Sequence, residues 1–222
     1  MNNEGNAEQM ESLMAYEVRR PKNLKDGQKY PALFLMHGMG SDEQNMLSLA
    51  DGLKDSFFII SIRGHFSQPP GYAYFSIEGF GKPHREVFDG AVNKLSNFID
   101  YASDQYPLDE SRLYLLGFSQ GAILGMTLAL TLGKIKGLVT LSGYIPKFVK
   151  EEYSINPGDQ LSAFISHGEL DQMLPFEWGI ENKEFFEKLN IPLTFKSYPE
   201  GHTVSGKNLH DLQQWLLNDL QK

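Results

Sequence analysis

Short apolar runs alternate with longer amphipathic stretches along most of the 222-residue chain. Residues 31–36 (PALFLM), 57–62 (FFIISI), 113–118 (LYLLGF), 138–141, 161–166 (LSAFIS) and 193–198 (LTFKSY) are compact runs of strand length. Most are too apolar to leave one face in water, which fits strands covered on both sides. Residues 15–20, ending near Pro21, read as a further strand. Between the runs, residues 43–54, 85–106, 120–132, 177–189 and 204–220 read as helices. In the longest of these, Val87, Leu95, Phe98 and Ile99 are among the apolar positions, and Pro107 ends it. Asp42 stands where a cap for 43–54 belongs, and Asp26-Gly27 marks a turn in the polar stretch 22–29. The alternation predicts an α/β fold with a mostly parallel central sheet and helices on both faces.

Two stretches break this rhythm. Residues 1–12 are polar and aperiodic and read as a loose tail. Residues 64–84 lack clear period yet hold Phe66, Tyr72, Tyr74, Phe75 and Phe80 among glycines. A loop that long in a compact domain more often covers or lines a site than not. Its aromatics could serve a homodimer contact as well as a pocket.

Composition narrows the functional classes. A length of 222 residues with 41% hydrophobic and 22% charged residues predicts one globular domain over 1–222. The net charge of −8 argues against nucleic acid as a partner and gives no reason to seek an anionic membrane. Without cysteine there is no disulfide framework and no thiolate nucleophile or ligand. The first residues carry acids and amides where a signal peptide needs a basic end and an apolar run. The longest apolar-rich stretch, 122–132, is too short to span a membrane, so a cytoplasmic location is expected. No H-E-x-x-H pair is present, and neither a metal nor another cofactor is expected.

The chemistry concentrates at strand ends. Gly117-Phe118-Ser119-Gln120-Gly121 fits G-x-S-x-G and lies between the apolar strand and the helical run AILGMTLAL. A turn this sharp strains the serine backbone, and glycines two residues either side avoid collisions with neighbouring elements. Upstream, His37-Gly38-Met39-Gly40 follows PALFLM. A glycine-rich turn there can aim N–H groups into a cleft, so the N–H groups of Met39 and Gln120 are candidate oxyanion donors, with His37 bracing the loop.

The base and its acid should follow in the order acid, then histidine. His167, His202 and His210 come after Ser119. His210 falls within the last helix, whereas His202 lies in the loop after LTFKSY, at a strand's carboxyl end. It is the preferred base. For the acid, Asp159 precedes its strand, at the wrong end, while Glu169 and Asp171 both follow it, and pattern hardly separates them. Met173-Leu174-Pro175 after Asp171 would shield that carboxylate.

The segments LMHGMGSDE, GYAYFSI, LLGFSQGA, HGELDQMLP and YPEGHTVS occur in this order, each near a predicted strand end. Together they resemble the carboxylesterase/phospholipase group of α/β hydrolases, which includes acyl-protein thioesterases and lysophospholipases. The likeness runs from about Tyr30 to the C-terminus. It implies the α/β-hydrolase fold, Ser119, Asp171 and His202 as triad, Met39 and Gln120 as oxyanion donors, and Asp171 over Glu169 as the acid. It also implies that Tyr74 and Phe75 line the acyl pocket, and Met173 is expected to join them. Many members carry tryptophan where this chain has Tyr74, a departure that bears on the pocket's shape. The expected function is a serine carboxylesterase acting on small-molecule esters of short to medium acyl chains through an acyl-enzyme. An acyl-protein thioesterase or lysophospholipase would use the same triad. A catalytically silent binding protein on this fold is the alternative of another class, against which all three triad residues stand.

Overall fold

In the computed structural model, which describes residues 14–222, the chain runs through β1 (Tyr16–Arg19), β2 (Tyr30–Met36), α1 (Glu43–Leu47), β3 (Phe58–Ile62), β4 (Phe66–Gln68), β5 (Gly71–Ala73), β6 (Ile77–Gly79) and β7 (Lys82–Pro83). It continues through α2 (Arg85–Gln105), β8 (Leu108–Phe118), α3 (Gln120–Thr131), β9 (Ile135–Leu141), α4 (Lys147–Glu152), β10 (Ser162–Gly168), α5 (Phe176–Lys188), β11 (Leu193–Tyr198) and α6 (Gly206–Asp219). The tail reading of 1–12 lies outside the described residues.

Seven strands form one sheet in the order β1-β3-β2-β8-β9-β10-β11, with β1 antiparallel to β3 and every other pair parallel. Successive residues of a strand face opposite sides, which splits the core in two. Phe34, Met36 and Ile60 pack with Phe88, Leu95 and Phe98 of α2 and with α3 on one side. Leu33, Leu35, Ile59 and Leu116 pack with Met46 and Leu47 of α1 and Leu212 and Leu216 of α6 on the other. Helix α3 is buried from Gln120 to Leu130, which explains why its sequence is apolar all round.

The strand order turns around between β2 and β8: from β2 the chain builds outward through β3 to β1's side, from β8 through β9 to β11. The crevice at the carboxyl ends of these two strands is where ligands of such sheets bind. The glycine-rich turn after β2 and the serine turn after β8 both open there.

Several stretches differ from the sequence reading, among them β9, which begins at Ile135 and not at 138. The 43–54 helix is α-helical only to Leu47, capped by Asp42 Oδ1 on the Asn45 N–H (2.9 Å), and then tightens into a 3₁₀ turn over Ser48–Leu53. Strand β8 begins at Leu108, not 113, because Leu108 pairs with Tyr30 and a register shift absorbs the polar residues that follow. Helix α4 was not foreseen; it has six residues and buries only Val149. The 64–84 segment is not an irregular loop but two small antiparallel ribbons, β4–β5 and β6–β7. Among the described residues no helix is long and apolar enough to cross a membrane.

Candidate active site

Ser119 stands between β8 and α3 with φ 53° and ψ −114°, a left-handed backbone that a side-chain-bearing residue adopts only under constraint. Its N–H donates to Leu141 O of β9 (2.9 Å), and its carbonyl already accepts from Ala122 and Ile123 in the first turn of α3. The flanking glycines are required by space. A Cβ on Gly117 would lie 2.2 Å from Gly121 O, and one on Gly121 would lie 2.0 Å from Met36 O of β2. The turn is thereby pressed between strand and helix, with the hydroxyl at the carboxyl edge of the sheet.

His202, in the loop after β11, brings Nε2 to 2.9 Å from Ser119 Oγ and Nδ1 to 2.7 Å from Asp171 Oδ2. Nδ1–H donates to the carboxylate, which leaves Nε2 to accept the serine proton. Phe118 packs against the imidazole, with ring centroids 4.9 Å apart. Glu200 secures the loop by accepting from the Ser205 N–H and from Asn208 Nδ2, both at 3.0 Å. The Asp171 side chain is fully buried. Burial pushes its carboxyl up, but the N–H groups of Leu174 and Met173 on Oδ1 (both 2.9 Å) and the His202 contact outweigh burial and hold it below its ordinary value. The shielding expected from Met173 is thus supplied by its backbone N–H; the residue itself is exposed.

The rival residues lie elsewhere. Glu169 is exposed and accepts from Ser197 Oγ (2.6 Å), Asp159 stands before β10, and His210 is exposed on α6. His167, at the end of β10, is buried and has a role the sequence did not reveal. Its Nε2–H donates to Leu174 O (2.9 Å), pinning the turn whose N–H groups hold Asp171. Burial keeps its imidazole below the ordinary histidine range.

The turn after β2 lies directly against the serine: a Cβ on Gly38 would be 3.3 Å from Ser119 Cβ. Two devices fix it. His37 is fully buried, donates from Nδ1 to Gly38 O (2.7 Å) and accepts the Gly64 N–H at Nε2 (2.9 Å). The ribbon β4–β5 reaches over, with Gly40 N–H on Tyr72 O and Tyr72 N–H on Ser41 O, both 2.8 Å. Below, the Arg63 guanidinium grips the buried Glu43 carboxylate through Nε (2.7 Å) and Nη2, tying α1 to the end of β3.

An apolar cleft of about 180 Å³ opens at Ser119, with Met39, Phe75, Ile77, Phe80, Ile123, Tyr144 and Met173 among its walls. Tyr74 does not line it. The ring is fully buried behind the glycine-rich turn, its hydroxyl donating to Ile62 O (2.6 Å) and accepting the His37 N–H (3.2 Å). In the bend after β5, Phe75 faces the cleft and Tyr74 the frame. Gln120 joins the two: its Oε1 accepts the Tyr74 N–H and its Nε2 donates to Phe75 O, both at 2.7 Å. Two of these walls, Phe80 and Tyr144, pack at a tilt on Trp178 of α5, with ring centroids 4.9 and 4.7 Å apart. Gly81 makes room for that stack, since a Cβ there would sit 2.7 Å from the Trp178 ring. Among the described residues no three His, Asp or Glu side chains gather where they could hold a metal ion.

Comparison with known proteins places the chain in a family. The phospholipase/carboxylesterase family model matches residues 23–218. Acyl-protein thioesterase 1 of Candida albicans is 30% identical over 175 residues, covering 73% of this chain and 74% of that protein. The protein of the same name from Debaryomyces hansenii is 26% identical over 218 residues, covering 86% and 92%. The solved structure of a Bacillus cereus carboxylesterase superimposes with a TM-score of 0.84 at 22% identity, covering 98% of this chain and all of that one. At that identity the likeness speaks for the fold alone, the α/β-hydrolase fold.

Proposed function

Because the chain belongs to the phospholipase/carboxylesterase family of hydrolases, we propose that it is a serine carboxylesterase for short- to medium-chain acyl esters, with Ser119, His202 and Asp171 as its catalytic residues. The observation that carries this is the relay itself: a serine on a strained turn, 2.9 Å from an imidazole that is in turn 2.7 Å from a buried carboxylate. In this reading the whole chain works as one domain.

Ser119 Oγ attacks the ester carbonyl carbon as His202 Nε2 takes its proton. The carbonyl oxygen gains charge beside the N–H groups of Met39 and Gln120, and losing one such donor typically costs about 10²–10³ in rate. The C–O bond breaks, the alcohol leaves with the proton from His202, and an acyl-enzyme remains. Water gives its proton to His202 and attacks in turn, releasing the acid and restoring Ser119.

The size of the acyl group follows from the cleft. Its volume of about 180 Å³ lies below the roughly 300–1,000 Å³ of pockets for drug-sized ligands, and Phe80 and Tyr144 in its wall are both packed on Trp178. A thioesterase reading uses the same relay, and the names of the fungal relatives favour it; the small volume of the cleft favours short chains whichever atom leaves.

Treatment with a fluorophosphonate followed by intact-mass measurement tests the reading without a guess about substrate. A single adduct on the wild type and none on Ser119→Ala is expected. Folded wild-type protein that takes no adduct would sink it and bring forward a silent binding protein.

A further inference from the structure

A second cleft, of about 300 Å³, adjoins the acyl cleft and shares two residues with it, Met39 and His202. Its walls come from the turn after β2, from α1 with its 3₁₀ extension, and from the loop that carries His202. The chemistry of the two clefts differs. The first is walled by Phe75, Ile77, Phe80 and Ile123, whereas the second mixes Met46, Leu49, Phe118 and Val204 with Ser41, Asn45, Ser48 and Thr203. No Lys, Arg, Asp or Glu lines it. The charged groups next along the chain are already engaged, Asp42 by the Asn45 N–H and Glu43 by Arg63. Asn45 Nδ2 donates to Ser41 Oγ (3.0 Å), which leaves the amide oxygen and the serine proton to a ligand.

Taking the serine-esterase reading as given, we infer that this cleft holds the leaving group, and that the alcohol it takes is uncharged and hydroxyl-bearing, such as glycerol or a sugar. The leaving oxygen must receive its proton from His202 Nε2, so the alcohol departs along a wall that includes His202. The more uniformly apolar cleft is the better solvent for the acyl chain, which assigns the mixed one, with its hydroxyl and amide groups, to the alcohol. Hydroxyl and amide side chains exchange hydrogen bonds with a polyol at no cost in buried charge. A phosphate-bearing alcohol would need Lys or Arg, and none lines the cleft. A quaternary ammonium head would need a cage of aromatic faces, and Phe118 is one ring.

The test holds the acyl group constant and varies the alcohol. kcat/KM is measured for ethyl butyrate, glycerol monobutyrate, butyrylcholine and butyryl glycerol phosphate. The glycerol ester should exceed the ethyl ester by about fivefold to tenfold, the value of one hydrogen bond, and should exceed both charged esters. Asn45→Ala and Thr203→Val should each lower the glycerol-to-ethyl ratio toward one; a ratio taken on one protein sample is independent of the fraction folded. A glycerol ester no better than ethyl, a preference for either charged ester, or a ratio unmoved by both substitutions would overturn the assignment while leaving the esterase intact. If no ester turns over and the fluorophosphonate adds no mass, the esterase reading itself fails and the subsite falls with it.

Discussion

Gln120 holds the backbone of Tyr74 from below the cleft: its side-chain oxygen accepts the Tyr74 N–H at 2.7 Å, in a site where Gln120 is 3% exposed. The residue therefore has two separate employments. Its backbone N–H stands beside the serine, and its side chain fixes the segment that presents Phe75 to the cleft. Gln120→Ala keeps the first and removes the second. It strands a buried N–H and a carbonyl, each worth about 1–3 kcal/mol when unpaired. Lower urea stability and a raised KM for butyrate esters are expected, with kcat less affected. Wild-type stability together with wild-type KM would show that the amide holds nothing.

The strained serine separates catalysis from stability. Ser119→Ala and Ser119→Gly should both lose about 10⁶ in kcat. Alanine keeps a Cβ at φ 53°, whereas glycine relieves it. Ser119→Gly should therefore be more stable than Ser119→Ala by about 1 kcal/mol in denaturant unfolding. Asp171→Asn should lose about 10⁴ in kcat if the aspartate fixes the tautomer of His202 as in other triads. Equal stability of the two serine variants would argue that the turn stores no strain.

Trp178 packs against Phe80 and Tyr144, two residues in the wall of the proposed acyl cleft. Trp178→Ala, and more mildly Phe80→Ala, should move the optimum of kcat/KM toward longer chains across a series of p-nitrophenyl esters from acetate to laurate. An optimum that stays in place in both variants would mean the chain leaves by another route.

Stability should fall as the solution becomes acidic from neutrality. Burial lowers the pKa of His37 and of His167. The unfolded chain, with histidine near 6.5, then binds protons that the folded chain refuses. The stabilisation from their neutrality is complete above about pH 6.5 and is lost as pH drops toward the folded values. Asp171 is depressed from the carboxylate range, so its contribution persists to lower pH and is lost only as pH falls from about 4 toward its folded value. Melting temperatures between about pH 8 and pH 5 should decline, and His167→Gln, which can still donate to Leu174 O, should flatten part of that decline. A melting temperature constant over this range would contradict the buried neutral imidazoles.

What could be read from the chain alone was what depends on near neighbours. Strand β11 over Leu193–Tyr198 coincides with its apolar run, and helix α3 follows directly from the run after Ser119. Gly117 and Gly121 announced a crowded turn because a missing Cβ is a local demand: an added Cβ would come within 2.2 and 2.0 Å of backbone oxygens. The order of candidate acid and candidate base was legible too, because loops after parallel strands open on one edge.

The tertiary structure alone decided what depends on which distant groups arrive. Ribbons of two or three residues have no period to betray them; β4 is exposed along its length, and β5 is ordered against the turn after β2 through Tyr72. Whether Tyr74 or Phe75 faced the cleft was a question of register, and Gln120, His37 and Ile62 answered it. Pattern hardly separated Glu169 from Asp171, two residues apart; the resemblance pointed to Asp171, and the physical difference lies in the turn that offers it two N–H groups and in the loop from β11 that brings His202 to it. Apolar periodicity records which side of an element is dry; it carries no record of what stands on the other side, and the pairing of the two clefts across His202 is made entirely of such meetings.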